Sequence, residues 1–382
     1  MRKRNIIENL LIIVLFALVI IFPYAIKLLG IESNLVGSEE KVDFSFENID
    51  EYVIQNFPGR EYLVKTKNQL LYSLFDISPN ASVVKIGDNL VSSEALNYYL
   101  HDEHKVTDAE VDALANKLKE FNEFCLENNK NVVVVFTPTK LRYYDGKYPI
   151  SDEIIMLYSG DKANLDTKVR GYDKLKERLN KYNINCFDCI EYINNNKEEI
   201  LNTEPPLFPK SGHHWSIYKG NVVGLGFHDY MRQKFGFKFP KVSLKASPSE
   251  TAIYPDADLF DILNLYEKPN EKFYESVLSL DIGELDNKNY IVQGGSFLGG
   301  LLIPQMTVSP TGSIVHISNK DVFIDNYKTL LSIDDWDDAN KKLDLLDRCK
   351  KADVFIFEIN ELNVYNATFG FIDYLLEHKG EL

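Results

Sequence analysis

A serine between glycines and an aromatic residue stands where a reactive side chain could be exposed. The run Tyr290-Ile-Val-Gln-Gly-Gly-Ser-Phe297 is typical of a strand that ends in a tight turn, and small residues follow at 298–301. Glycines accept backbone angles that other residues resist, so the Ser296 hydroxyl can stand free at such a turn. Amides at the start of a following helix could stabilise an oxyanion there. The pattern indicates a nucleophile, with an ordinary Gly-Ser loop as the alternative interpretation.

Two adjacent histidines could supply the base that a serine nucleophile needs. His213 and His214 lie in the segment Lys210-Ser-Gly-His-His-Trp-Ser216. A serine hydroxyl is a weak nucleophile until an imidazole removes its proton, and triads tolerate any order of their members along the chain. The alternatives are surface histidines or a two-histidine metal site. The metal site is disfavoured because no Asp or Glu lies at ligand spacing, so we expect neither a metal nor a cofactor.

These residues must be positioned by strands that alternate with helices. Apolar runs predict strands near 131–138, 183–190, 289–293, 313–317 and 352–359. Helical patterns fall near 106–129, 162–182, 216–234, 337–350 and 364–378. This order predicts an α/β fold with a mostly parallel sheet flanked by helices on both faces.

The carboxyl ends of parallel strands are where such sheets place their sites. The Ser296 turn, the histidine segment and Lys140, which follows the strand ending at Thr137-Pro138, would meet at that edge. Thr107 and Glu110 have the spacing of a capping box, which predicts the start of one flanking helix. Residues 239–288 are irregular and could include a lid or a strand insertion.

The N-terminal segment predicts one transmembrane helix. Arg2, Lys3 and Arg4 precede an uncharged apolar run from Asn9 to Ile26, which as a helix spans about 27 Å, close to the hydrocarbon thickness of a bilayer. The positive-inside rule keeps the N-terminus in the cytoplasm and exports the rest of the chain. A cleaved signal peptide is the alternative, but no clear Ala-x-Ala site follows the run.

Composition limits the partners and the cysteine chemistry. The 42 Lys and Arg residues against 57 Asp and Glu give a net charge of −15, which argues against nucleic-acid binding. A neutral or weakly charged substrate suits the negative electrostatic field of such a protein better than a polyanion does. The four cysteines are interpreted as buried and unpaired, with disulfides as the alternative: Cys125, Cys186, Cys189 and Cys349.

Three regions are predicted along the chain. Residues 1–30 would form the cytoplasmic tip and anchor, and residues 31–104 a membrane-proximal region. Residues 105–382 would form the α/β catalytic domain, with 239–288 as a possible insertion. No internal repeat or low-complexity stretch is visible.

The two site motifs, together with the anchor, resemble the AlgX/AlgJ family of alginate O-acetyltransferase proteins, which have SGNH-hydrolase-like domains. In that family an Asp-x-His-Trp loop precedes a Gly-Asp-Ser-Phe elbow, and this chain reads Gly212-His-His-Trp215 and Gly294-Gly-Ser-Phe297 in the same order. The resemblance covers roughly residues 45–380 and is specific only at these motifs. Other segments that look similar are Phe57–Arg60, Pro138–Lys140, Asp258-Leu-Phe-Asp261 and Phe357–Glu361.

By the resemblance, Ser296 is the nucleophile and His214 the general base, while His213 falls at a variable position. Two departures matter: Gly212 replaces the acid that would orient the imidazole, and Gly295 replaces the elbow Asp. Three hypotheses remain: another carboxylate or carbonyl orients His214, a Ser–His dyad operates, or the domain has lost catalysis.

The acceptor for the second ring nitrogen of His214 is sought in two places. It would be a backbone carbonyl of the 209–213 loop, or Glu358 or Glu361 after the last buried strand. Glutamates after a strand are more often solvated or at a helix entry. If the loop keeps the family's shape, Gly212→Asp should raise turnover.

The leading functional hypothesis is an extracytoplasmic O-acetyltransferase that acetylates hydroxyls of a cell-surface or secreted polysaccharide through a Ser296 acyl-enzyme. The resemblance implies a membrane-bound O-acyltransferase as the partner that supplies acetyl groups. A non-catalytic polysaccharide-binding or assembly protein on a degenerate SGNH fold, and a polysaccharide acetyl-esterase, are the alternatives.

Overall fold

A computed structural model describes Ile21 and residues 60–143, 149–159, 170–239, 241–281, 288–298, 314–318, 321–324, 329–332 and 335–382. Apart from Ile21, the predicted transmembrane run Asn9–Ile26 lies outside the described residues. Among the helices that are described, none is long and apolar enough to cross a membrane.

The chain divides into two compact units. The first comprises residues 1–80 with 263–268, and the second comprises residues 81–262 with 269–382. In the first unit, helix α1 (Arg60–Leu74) is tied to the 263–268 segment by the Asn68 side-chain amide, which donates to the Leu263 carbonyl at 2.9 Å. The three regions predicted from the sequence stay a prediction.

The second unit contains the described strands and the other described helices. Its strands are β1 (Val83–Ile86), β2 (Asn89–Ser92), β3 (Asn131–Thr137), β4 (Asn185–Asp188), β5 (Lys241–Ser249), β6 (Phe273–Asp281), β7 (Tyr290–Gly294), β8 (Ile314–Ser318), β9 (Asp321–Ile324), β10 (Thr329–Ser332) and β11 (Val354–Asn360). Its helices are α2 (Ser93–Lys105), α3 (Asp108–Glu127), α4 (Asp152–Ser159), α5 (Gly171–Lys181), α6 (Cys189–Asn195), α7 (Lys197–Ile200), α8 (Ile217–Phe235), α9 (Asp258–Asp261), α10 (Trp336–Leu343), α11 (Leu345–Lys351) and α12 (Phe371–Glu377).

The main sheet has the order β10-β9-β8-β7-β11-β3-β4. The five strands from β8 to β4 are parallel, and β9 and β10 add an antiparallel edge. The run NVVVVFT of β3 is buried from its second residue to its last, as expected of a central parallel strand covered on both faces. The predicted mostly parallel α/β sheet is therefore confirmed.

Alternating side chains of β3 build a separate apolar core on each face of this sheet. Val132 and Val134 pack in a core that also includes residues of α3, α5 and α12. Val133 and Val135 pack in a second core that includes residues of α6 and α8. Helices thus cover both faces and leave the strand ends free to carry the site.

Local signals fixed several element boundaries. The predicted capping box is confirmed: the Thr107 amide donates to Glu110 Oε2 at 2.7 Å, and the Glu110 amide donates to Thr107 Oγ1 at 3.2 Å. The predicted helix at 337–350 is divided at Asp344, whose φ of 50° is left-handed, into α10 and α11. The predicted strand 183–190 ends at Asp188, because that side chain caps α6.

The segment expected to be irregular at 239–288 contains an antiparallel hairpin. Strands β5 and β6 pair over nine residues each, from Lys241 with Asp281 to Ser249 with Phe273. Their connection carries the short helix α9, so the segment includes a strand insertion. The four cysteines are unpaired, as interpreted from the sequence; three are buried and Cys186 is partly exposed.

Candidate active site

Ser296 lies just beyond the carboxyl end of a central strand. Strand β7 runs between β8 and β11 and ends at Gly294. At Gly294 a Cβ atom would lie 2.6 Å from Oε2 of Glu358 and 2.6 Å from Cδ1 of Leu298, so glycine is required for the close approach. The Gly295 amide donates to Glu358 Oε2 at 2.6 Å. A buried carboxylate therefore anchors the turn that presents Ser296; the predicted helix beyond Leu298 lies outside the described residues.

His214 comes from the segment before α8. That helix begins after Ser216, whose Oγ accepts from the Lys219 amide and donates to the Pro206 carbonyl at 2.9 Å, which fixes where the preceding loop turns. Nε2 of His214 lies 2.6 Å from Oγ of Ser296. The predicted proximity of the two side chains is confirmed.

Asp258 is the acceptor for the other ring nitrogen of His214. Its Oδ2 lies 2.5 Å from Nδ1 of His214, and its Oδ1 accepts the backbone amide of His213 at 2.7 Å. The prediction that this acceptor would be a carbonyl of the 209–213 loop, or Glu358 or Glu361, is wrong. The acid instead opens helix α9 in the 239–288 segment, so that a Ser–His–Asp triad is complete despite Gly212.

The electrostatics of the site favour an ionised Asp258 and a neutral His213. Burial raises the pKa of the Asp258 carboxyl, but the hydrogen bond and charge of His214 outweigh it and hold this pKa below its ordinary value. Burial, reinforced by the adjacent His214, lowers the pKa of His213 to about 4. His213 is therefore neutral at pH 7, and its ring lies edge-on to that of His214 at 4.9 Å between centroids.

Gly212 occupies the place where the resembled motif has an acid, and it has no room for one. A Cβ atom there would lie 2.7 Å from the carbonyl oxygen of Asp256 and 3.2 Å from that of Pro255. Both are backbone atoms, which cannot swing away as a flexible side chain would. A side chain at position 212 therefore requires the backbone to shift, which opposes the gain in turnover that Gly212→Asp would give if the loop kept the family's shape.

Glu358 and Glu361 are buried, contrary to the expectation of solvated side chains, and the ring nitrogens of His214 meet Asp258 and Ser296 instead. Glu358 accepts from the Gly295 amide and from the Thr137 hydroxyl. Burial raises its pKa, and the two hydrogen bonds oppose that change. Glu361 accepts from the Thr139 amide at 2.6 Å and from Nε of Arg142 at 2.7 Å. Both glutamates hold together the strand ends beneath the site.

Lys140, which the sequence placed at this edge, is buried there. The residue is 4% exposed, and its Nζ lies 2.6–3.0 Å from the carbonyl oxygens of Leu90, Pro209, Lys210 and Gly212, four acceptors that share its three N–H groups. Burial lowers the pKa of Lys140 from its ordinary value, while the carboxylates of Glu271 and Asp258 act in the opposite direction and favour the charged form. Three carbonyls of the 209–213 loop, those of Pro209, Lys210 and Gly212, thus accept from a lysine and not from the His214 imidazole.

Aromatic residues of both motifs pack against each other and so join the two loops. The Phe297 ring lies 4.9 Å from that of His214 and 5.5 Å from that of Trp215, measured between centroids. Trp215 and Phe297 are buried, at 1% and 3% exposed. The aromatic residue next to each catalytic candidate therefore maintains the distance between the loops.

Metal ligation has no support in the described part of the chain, where no cluster of three or more His, Cys, Asp and Glu side chains is arranged to hold an ion. The carboxylate near the histidines, that of Asp258, is hydrogen-bonded to the His214 imidazole and to the His213 amide.

Comparison with known proteins found similarity only to solved structures. No protein-family model matches the sequence, and no curated protein matches it. The structure is similar to the O-acetyltransferase domain of Pseudomonas putida AlgJ, with 14% identity, a TM-score of 0.43, and coverage of 75% of this chain and 93% of that chain. It is also similar to Bacillus cereus PatB1 with a sulfonyl adduct, with 10% identity, a TM-score of 0.46, and coverage of 76% and 97%.

A third similar structure is Pseudomonas aeruginosa AlgX, with 14% identity, a TM-score of 0.45, and coverage of 76% of this chain and 66% of that chain. AlgJ and AlgX are the proteins for which the resembled family is named. At these identities and TM-scores, the chemistry of the chain has to be judged from its own residues.

Proposed function

We propose that this chain is an SGNH-type O-acetyltransferase that forms an acyl-enzyme on Ser296. The observation that carries the proposal is the continuous hydrogen-bonded chain Asp258–His214–Ser296, with distances of 2.5 Å and 2.6 Å. Three side chains from separate segments converge with the connectivity that serine acyl transfer requires. A non-catalytic protein on a degenerate fold would have no need to keep all three of these side chains hydrogen-bonded in this order.

The chemistry follows from the roles of the three groups. Oγ of Ser296 attacks the carbonyl carbon of an acetyl donor as Nε2 of His214 takes its proton, and the tetrahedral intermediate expels the donor's leaving oxygen, which receives that proton. A hydroxyl of the acceptor then attacks the acetyl-serine, again losing its proton to His214, and Ser296 leaves with the proton restored. Asp258 accepts Nδ1–H throughout and stabilises the imidazolium that forms twice.

The stabilisation of the oxyanion must come from donors other than the Gly295 amide. That amide is engaged by Glu358 Oε2 at 2.6 Å. A donor engaged by a buried carboxylate is not free to meet a developing negative charge. Glu358 thus serves to position the turn.

The acceptor in this proposal is a polysaccharide hydroxyl at the cell surface. The motif resemblance and the acidic composition, which suits a neutral or weakly charged acceptor, support this choice. The run Asn9–Ile26 supports a single-pass anchor with the catalytic unit outside the cytoplasm. A membrane-bound O-acyltransferase would then supply acetyl groups from the other side of the bilayer.

The same acyl-enzyme serves an esterase when water replaces the sugar, so the acceptor decides between the two activities. The test is turnover of 4-nitrophenyl acetate by the full chain with and without neutral oligosaccharides, followed by mass analysis of the sugar. Acetylated oligosaccharide that requires both Ser296 and His214 supports a transferase. Free acetate as the sole product identifies an esterase, and turnover equal to that of Ser296→Ala identifies a non-catalytic protein.

A further inference from the structure

A buried lysine ammonium organises the backbone immediately before the proposed base. Lys140 follows β3 in a turn of 3-10 helix (Lys140–Tyr143), and its Nζ lies 2.6 Å from the Pro209 carbonyl, 2.9 Å from that of Lys210 and 3.0 Å from that of Gly212. The Leu90 carbonyl, at 2.8 Å, completes the group. Three of these four oxygens belong to the five residues that precede His214.

The amides of the same segment are held by carboxylates. Glu271 accepts the backbone amides of Lys210 and Ser211 at 2.8 Å and 2.7 Å, and Asp258 accepts that of His213 at 2.7 Å. Three carbonyls of the segment therefore meet a cation, and three of its amides meet anions. Because peptide dipoles are oriented by the charges at both ends, this arrangement fixes the path of the backbone that leads into His214.

A buried cation is an expensive way to fill space. Removing an ammonium from water carries a large free-energy cost, and a methionine of similar length would pack without that cost. The four carbonyl oxygens offset the cost, and they give the ammonium a directional role that an apolar side chain lacks.

We propose that Lys140 is a positioning residue whose ammonium holds the His214 loop in register with Ser296 and Asp258. The proposal rests on the proposed function for its kinetic readout. An error of about 1 Å in the position of a base can lower a rate by about 100-fold, so we expect loss of the ammonium to lower kcat by about 10- to 100-fold with a smaller change in KM.

The four carbonyls also provide a test by chemical rescue. In Lys140→Ala the oxygens would surround a space vacated by the ammonium and its stem, which suits a small cation that can donate hydrogen bonds. We expect ammonium or ethylammonium chloride to restore kcat in a saturable manner, and tetramethylammonium, which has no N–H donor, to be ineffective. Sodium chloride at equal ionic strength controls for general salt effects.

Lys130 is the matched control, because it lies just before the other end of β3. Its Nζ donates to the carbonyls of Lys350 and Ala352 at 2.5 Å and 2.8 Å. It thus makes similar hydrogen bonds at the edge of the sheet opposite to Ser296. Lys130→Ala should lose stability but keep kcat, and ammonium salts should not change its turnover.

A second readout does not depend on turnover and so separates this proposal from the proposed function. The proton on Nδ1 of His214, in its short hydrogen bond with Asp258, should give a low-field proton NMR signal that is absent from His214→Gln. The signal should be lost or shifted in Lys140→Ala and Lys140→Met, restored by ammonium in the former, and unchanged in Lys130→Ala. A wild type with this signal but without turnover would count against the proposed function alone.

The proposal is overturned if Lys140→Met keeps both the wild-type kcat and the wild-type low-field signal. It is also overturned if ammonium fails to restore either quantity in a folded Lys140→Ala. If neither variant folds at any ammonium concentration, as judged by circular dichroism, Lys140 serves folding in general and the positioning role is rejected.

Discussion

The carboxylate of Asp258 lies 2.5 Å from Nδ1 of His214, although the two residues are 44 positions apart in the chain. This contact brings helix α9, which lies in the connection between β5 and β6, to the carboxyl edge of the main sheet. The same aspartate accepts the His213 amide, so it holds both the imidazole and the backbone that carries it. An acid supplied from this connection replaces the acid that the resembled motif has at the position of Gly212.

Loss of the Asp258 carboxylate should lower turnover without unfolding the chain. Asp258→Asn keeps the size of the side chain but favours the wrong tautomer of His214, and the expected loss in kcat is about 10²- to 10⁴-fold. Acetate-ester turnover measures it, with circular dichroism to verify the fold. Asp261→Asn, at the exposed end of the same short helix, is the control and should retain wild-type turnover. Equal rates for the two variants would remove Asp258 from the triad.

An acid at position 212 should harm this loop and not improve it. The side chain of Gly212→Asp would start 2.7 Å from the Asp256 carbonyl oxygen, so the backbone must shift. We expect a loss of about 1–3 kcal/mol in the free energy of unfolding and no gain in turnover. Urea denaturation measures the first quantity. Gly380→Asp, where nothing lies within 4 Å of the new Cβ, should change stability by less than about 0.5 kcal/mol. Faster turnover in Gly212→Asp would contradict this account of the loop.

Two neighbouring glycines of the Ser296 turn should respond differently to alanine. At Gly294 the added Cβ would lie 2.6 Å from Cβ and Oε2 of Glu358, whereas at Gly295 the nearest atom is Glu358 Oε2 at 3.5 Å, an ordinary contact. Gly294→Ala should lower the free energy of unfolding by about 1–3 kcal/mol, and Gly295→Ala by clearly less. Urea denaturation of the two proteins compares them directly, and the reverse order would show that Glu358 does not occupy this space.

Asp256 should make stability fall as the pH rises from 4 to 7. Burial raises the pKa of its carboxyl from 3.8 to about 7, with smaller contributions from the charges of Glu271 and Asp258, while the hydrogen bond from the Ile217 amide acts in the opposite direction. The folded chain therefore binds a proton in this range that the unfolded chain has lost. The stabilising contribution is complete below pH 4 and disappears as the pH passes 7.

The variant Asp256→Asn has no proton to lose at this position. Relative to the wild type, it should gain on the order of 2–4 kcal/mol in unfolding free energy between pH 4 and pH 8. Urea denaturation at several pH values gives this difference, and other titrating groups cancel because both proteins contain them. A constant difference between the two proteins across this range would show that Asp256 is ionised in the folded state.

The central strands and the two loops that meet at their ends could be predicted from the sequence. The run of β3 and the last strand β11 are continuous apolar segments bounded by polar residues, and burial on both faces requires that pattern. Because carboxyl ends of parallel strands share one edge, the meeting of His214 with Ser296 was predictable without knowledge of distances.

The contact of Asp258 with His214 and the inserted hairpin could not be predicted, because no local sequence pattern indicates them. Helix α9 has four residues, too few to show a period, and β5 is partly exposed along its whole length, so its side chains carry little apolar signal. The one indication was the similarity of Asp258-Leu-Phe-Asp261 to the resembled family. The burial of Glu358 and Glu361 could not be predicted either, because their partners, the Gly295 amide and Arg142, are distant in the sequence.

In the proposed mechanism Ser296 carries the acyl group, and the mass of the trapped acyl-enzyme shows which residue is acylated. The full chain is mixed with 4-nitrophenyl acetate, quenched in acid within a single turnover, digested, and mapped by mass spectrometry. The proposed mechanism predicts one acetyl group on the peptide that contains Ser296, slower to form in His214→Ala and absent from Ser296→Ala. An acetyl group on another residue, or the same extent of acetylation in Ser296→Ala, would contradict it.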